Sequence, residues 1–73
     1  MKVKDLTATV LSDPGRGDLS VRSKSADEYF ACRCGPAYIT LNFGDCEVVE
    51  LRPDCVLDRQ NGLIYETITI VIA

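Results

Sequence analysis

Four cysteines, Cys32, Cys34, Cys46 and Cys55, are the residues best equipped for chemistry in this 73-residue chain. Four thiolates in a short chain match the tetrahedral set that zinc prefers, and the metal would contribute folding energy. The spacing argues against it. Structural zinc sites usually pair ligands two to four residues apart twice over, whereas one residue separates Cys32 from Cys34 and eight separate Cys46 from Cys55. In an extended strand Cys32 and Cys34 share a face about 6–7 Å apart, too far to bridge, so a disulfide would have to reach Cys46 or Cys55 on a neighbouring strand. The sequence favours reduced, buried thiols acting as small hydrophobes, with a four-cysteine zinc site and cross-strand disulfides as the alternatives.

Nucleophilic use of a thiol requires a base, and the chain has no histidine. Asp45, Glu47, Glu50 and Asp54 crowd together in sequence but read as turn residues and solvated strand faces. Neither enzymatic activity nor a cofactor is expected. Arg16-Gly17-Asp18 is the tripeptide that adhesion receptors read, yet in a loop with Pro14 and Gly15 it is well explained as a turn. Tyr29, Phe30, Tyr38, Phe43 and Tyr65 suggest a stacking platform for single-stranded nucleic acid, which also needs a basic groove. The charge does not supply one. Net charge is −3, and from Cys34 onward there are two basic and six acidic residues, so no nucleic-acid partner is expected.

The elements that must position these groups read as strands. Val3–Leu11 alternates loosely, with Leu6, Ala8 and Val10 on one side, and pairs in expectation with Leu19–Ser23 across the Gly/Pro loop. Lys24–Asp27 reads as a turn, with a short helix capped by Ser25 as the alternative. Glu28–Cys34 places Phe30, Cys32 and Cys34 on one face. Ala37–Phe43 alternates most cleanly, with Ala37, Ile39, Leu41 and Phe43 facing a core. Cys46–Leu51 and Cys55–Gln60 follow, separated by a corner at Pro53-Asp54.

Asn61-Gly62 then predicts a type I′ hairpin, which places Leu57 opposite Glu66 and Cys55 opposite Ile68. The last strand, Leu63–Ile72, is apolar on both faces: Ile64, Ile68, Ile70 and Ile72 on one, Leu63, Tyr65 and Val71 on the other. Either it lies centrally in a sheet or another molecule covers it.

Six or seven short strands predict one all-β domain over residues 1–73, an antiparallel meander closed into a barrel or two-layer sandwich. A domain this small buries only about 60% of its unfolded surface, so association is expected to complete it. The odd face of the last strand, Leu63, Tyr65, Thr67, Thr69 and Val71, is the expected interface. No segment has signal-peptide character or membrane-spanning length, which gives a cytoplasmic expectation with no membrane partner. The function these features suggest is a non-enzymatic module acting through protein–protein contacts, most simply a homo-oligomer or assembly subunit such as a virion or particle component. An inhibitor or regulator of a cognate protein, of the kind mobile elements encode, and a zinc-stabilised binding module are the alternatives.

Overall fold

The computed structural model describes residues 1–26 and 28–73. Along the chain it forms α1 (Val3–Thr7), β1 (Leu19–Ser23), β2 (Tyr29–Cys34), α2 (Pro36–Phe43), β3 (Val48–Asp58) and β4 (Leu63–Ile72). The strands make one sheet in the order β2-β1-β4-β3, with β1 parallel to β4 and the other pairings antiparallel. The expected closed all-β meander is thus corrected to an open, mixed, four-stranded sheet with helices on one face. Its thickness of 18 Å is that of one sheet and one helical layer.

Two segments that alternate like strands are helical. Pro36 follows Gly35 at the first helical position, where its missing N–H costs nothing and its fixed φ suits the helix. Pro36, Ile39 and Phe43 then turn inward at helical spacing, while Leu41, inward in a strand, is 85% exposed. In α1, Val3, Leu6 and Thr7 are buried and Val10 is exposed. The Asp5 carboxylate accepts the Lys2 N–H at 2.9 Å, which secures the first turn. The two helices are joined at their ends. Lys4 donates to the Gly44 carbonyl and Val3 to the Cys46 carbonyl, each at 3.0 Å, and the Thr7 and Thr40 hydroxyls meet at 2.6 Å. Gly44 fits this junction closely, because a Cβ there would stand 2.5 Å from the Thr40 carbonyl oxygen.

Val3, Leu6, Leu11 and Ile39 pack on Leu19 and Val21 of β1, Ala31 of β2, and Ile70 and Ile72 of β4. β4 is therefore central, between β1 and β3. β3 runs straight through Pro53 instead of breaking there. Ile68 and Ile72 direct their backbone groups to β1: the Ile68 N–H donates to Asp18 and the Ile72 carbonyl accepts from Lys24, both at 2.8 Å. Pro53, opposite Ile68, accordingly turns its nitrogen to the open edge, where no ladder bond is lost.

The hairpin register also differs from the expectation, with Leu57 opposite Ile64 and Cys55 opposite Glu66. A type I′ turn needs positive φ at both Asn61 and Gly62, and of the two only Gly62, at 71°, has it. The Asp58 and Asn61 side chains instead accept the N–H groups of Gln60 and Leu63, each at 2.9 Å, and widen the loop to Arg59–Gly62. The shift is two residues, so every side chain keeps its face. In the segment expected to turn at Lys24–Asp27, Lys24 and Ser25 do form a turn, and Asp27 lies outside the described residues. Among the described residues no helix is long and apolar enough to cross a membrane.

Helical and extended readings of Ala37–Phe43 differ in what a truncation costs. Ile39→Ala is expected to lower the unfolding free energy by about 2–5 kcal/mol and Leu41→Ala by less than about 0.5 kcal/mol, measured by urea denaturation. Equal losses at both positions would mean that the two side chains share the core, as they would in a strand.

Candidate interaction surface

The face of the sheet opposite the helices is closed by side chains from the edge strand β2. That strand is irregular: Leu19 lies opposite Cys34, Val21 opposite Ala31 and Arg22 opposite Tyr29, with the register shifting twice. Arg33 sits at φ 55°, in the left-handed region that non-glycine residues rarely adopt. This breaks the alternation expected for Phe30, Cys32 and Cys34. Cys34 packs against the core, whereas Cys32 lies beside Ser20 on the other face.

Tyr29 and Arg33 reach across the sheet from β2 to β3. The Tyr29 hydroxyl donates to the Asp54 carboxylate, passing over β1 and β4, and the Thr69 hydroxyl donates to the same carboxylate at 3.4 Å. Arg22 stacks over the Tyr29 ring with its guanidinium carbon 5.7 Å from the centroid. Four residues along each strand the arrangement repeats: Arg33 lies 3.5 Å over the Tyr65 ring and 4.0 Å from the Asp58 carboxylate. The Tyr29 bond and the Cys55 N–H hold the Asp54 carboxyl below its ordinary range, and burial followed by the Asp54 bond raises the Tyr29 phenol above its own.

Of the expected interface residues, Thr67, Thr69 and Val71 are therefore buried by the chain's own side chains. Tyr65 is half-buried under Arg33, and only Leu63 stands clear. The Thr67 hydroxyl is buried without a hydrogen-bond partner among the described residues.

The surface left open lies elsewhere. β1 begins at Leu19, opposite Ile68, so among the described residues no strand flanks β4 before that point on its β1 side. Residues 54–58 of β3 and 63–67 of β4 form a two-stranded arm. On its helix-side face Leu57 and Ile64 lie opposite one another and are 54% and 70% exposed, with Cys55, Pro53 and Leu51 continuing the row along β3. β3 is also an edge of the sheet. Its start is covered, since the Met1 carbonyl accepts the Val48 N–H at 2.8 Å and a bulge follows between Val48 and Glu50. Pro53 guards the middle; beyond it the Cys55 N–H donates to the Asp54 carboxylate at 2.8 Å, and the outward Cys55 carbonyl and Leu57 backbone groups are left unguarded.

The remaining candidates do not converge on one site. The four thiols are free, with Cys34 and Cys46 half-buried against the core and Cys32 and Cys55 exposed on β2 and β3, opposite edges of the sheet. Among the described residues no three Cys, Asp or Glu side chains gather into a metal site, and Cys32, Cys34, Cys46 and Cys55 are not brought together. Desolvation raises the Cys32 thiol, with the Ser20 hydroxyl opposing, so the thiolate is disfavoured. Arg16 closes on Asp18 with its Nε 2.8 Å from the carboxylate, and the tripeptide's two charges face each other rather than a receptor. The aromatics divide as well: Phe30 stacks on Phe43 at 6.3 Å, Tyr38 is exposed on α2, and Tyr29 and Tyr65 lie under arginines.

Sequence reasoning missed Tyr29, Arg33, Asp54 and Asp58 as a unit. A tyrosine and an arginine four apart, matched by two aspartates four apart, was the available signal. No family model, curated protein or solved structure matches the chain.

The Tyr29–Asp54 contact makes stability depend on pH at both ends. Tyr29 titrates higher folded than unfolded, so its contribution is complete below its unfolded value near pH ~10 and is lost as pH rises through the raised folded value. Asp54 titrates lower folded, so its contribution is complete above about pH 4 and is lost as pH falls through the depressed value. Tyr29→Phe is expected to cost about 1–3 kcal/mol at neutral pH and to flatten the alkaline loss. Urea titrations across pH that are identical for the two proteins would contradict the contact.

Proposed function

We propose that this chain is a non-enzymatic binding module whose working surface is the β3–β4 arm. The observation that carries the reading is the exposed apolar row of Leu51, Pro53, Cys55, Leu57 and Ile64, set along an edge strand of the sheet. A two-stranded ribbon is at best marginally stable alone in water, and exposed apolar residues on such a ribbon are stabilised by a second surface. The mode this supports is recognition through strand edge and apolar face, in which backbone hydrogen bonds give affinity and side-chain pockets give specificity. An assembly subunit is the form of this function that suits a domain of this size, because association supplies burial that the single chain lacks.

Leu57→Glu/Ile64→Glu tests the reading. Both side chains are exposed, so the double variant should melt like the parent, within about 0.5 kcal/mol by urea denaturation, while losing the contacts that the purified parent makes with its binding proteins in cross-linking. A stability loss of the size seen for core residues would place these side chains in the fold, and unchanged cross-linking would overturn the arm as the binding surface.

A further inference from the structure

We infer that the occupant of the β3 edge is a second copy of this chain, paired antiparallel about a two-fold axis at Cys55. This rests on the arm being the binding surface. The outward-facing backbone groups of β3 belong to Leu51, Pro53, Cys55 and Leu57, since each alternates with a residue bonded to β4 and Pro53 lies opposite the β1-directed Ile68. Two copies of an edge can pair only through residues that face outward on both, which leaves a short series of registers.

Charge and proline separate them. A two-fold axis at Arg52 places Arg52 against Arg52 and Glu50 against Asp54. An axis at Asp54 sets that aspartate against itself, and one at Val56 sets Asp54 against Asp58. An axis at Pro53 faces proline with proline, and both central donors are missing. An axis at Leu57 pairs only the last residues before the loop.

The axis at Cys55 is free of these conflicts. Arg52 then lies opposite Asp58 of the second copy, twice by symmetry, and the two Cys55 residues exchange both backbone hydrogen bonds. Each Cys55 N–H turns to the second copy from the Asp54 carboxylate oxygen it meets at 2.8 Å in the single chain. Leu57 donates to the Pro53 carbonyl of the second copy, a bond that does not use the absent proline N–H. On the helix-side face Pro53 meets Leu57 of the second copy, so the two exposed apolar rows join into one surface around the axis. The arrangement is isologous and closed, which ends the strand ladder at two copies instead of propagating it.

In an antiparallel hydrogen-bonded pair the Cα atoms stand about 5.5 Å apart, inside the range a disulfide spans. The two Cys55 thiols are therefore a direct reporter of the register. Light scattering from low to high micromolar concentration should show the mass rise toward twice that of the chain. Copper–phenanthroline oxidation, in which the two thiols release two protons and pass two electrons to copper, should then give a covalent dimer. That dimer should persist in a variant keeping Cys55 alone (Cys32→Ser, Cys34→Ser, Cys46→Ser) and vanish in Cys55→Ser. Arg52→Glu, which places like charges against Asp58, should weaken dimerisation about tenfold or more.

A monomer at every concentration, or a dimer cross-linked through Cys32 and not Cys55, overturns the proposal. The first outcome leaves the arm itself testable through the Leu57→Glu/Ile64→Glu variant, so loss of self-pairing and loss of the binding surface are read separately.

Discussion

The hydrogen bond from Tyr29 to Asp54 spans the sheet from one edge strand to the other, and the burial of the central strand depends on it. Two short helices cover only one face around Leu19, Val21, Ile70 and Ile72. Among the described residues no helix covers the opposite face, yet Thr69 is fully buried and Val71 nearly so. Side chains long enough to cross the intervening strands supply that cover. A phenol aimed at an ionised carboxylate forms a charge-assisted bond, among the stronger hydrogen bonds a protein makes. Arg33 performs the same service one turn of the pattern further on, stacked on Tyr65 and directed at Asp58. Its left-handed backbone costs on the order of 1–3 kcal/mol, and the stacking and the ion pair hold it in place.

This internal cover decides which surface is left for other molecules. Where the crossing side chains and the helices both end, the hairpin continues as an arm with open edges and an apolar face. In a larger domain a third layer would lie on that arm. Among the described residues no such layer lies there, and the apolar row stays exposed.

Much of the sheet was legible because its signals are local. β1, β2 and β4 follow from β-branched and aromatic runs bounded by turn residues, with ends within a residue of those observed. The helices were not legible, because Ile39 and Phe43 satisfy period two and a helical spacing of four at once, and only the placement of Pro36 after Gly35 favours the helix. Pro53 looked like a corner because a sequence does not say which way its nitrogen points. The apolar odd face of β4 suggested a partner, and its actual cover came from β2, more than thirty positions away in sequence. The arm's exposed row was hidden for the reverse reason: Leu57 and Ile64 have the composition of core residues, and only the early start of β4 relative to β1 leaves them bare.

Residue-resolved hydrogen exchange on the dilute chain tests this division of the sheet most directly. The Thr69 and Val71 amides, bonded to β3 beneath the crossing side chains, should exchange only through global unfolding, while the outward Leu57 amide exchanges near the rate of an unprotected chain. Fast exchange at Thr69 and Val71, or strong protection of Leu57 in the monomer, would contradict a sheet closed from within and open along its arm.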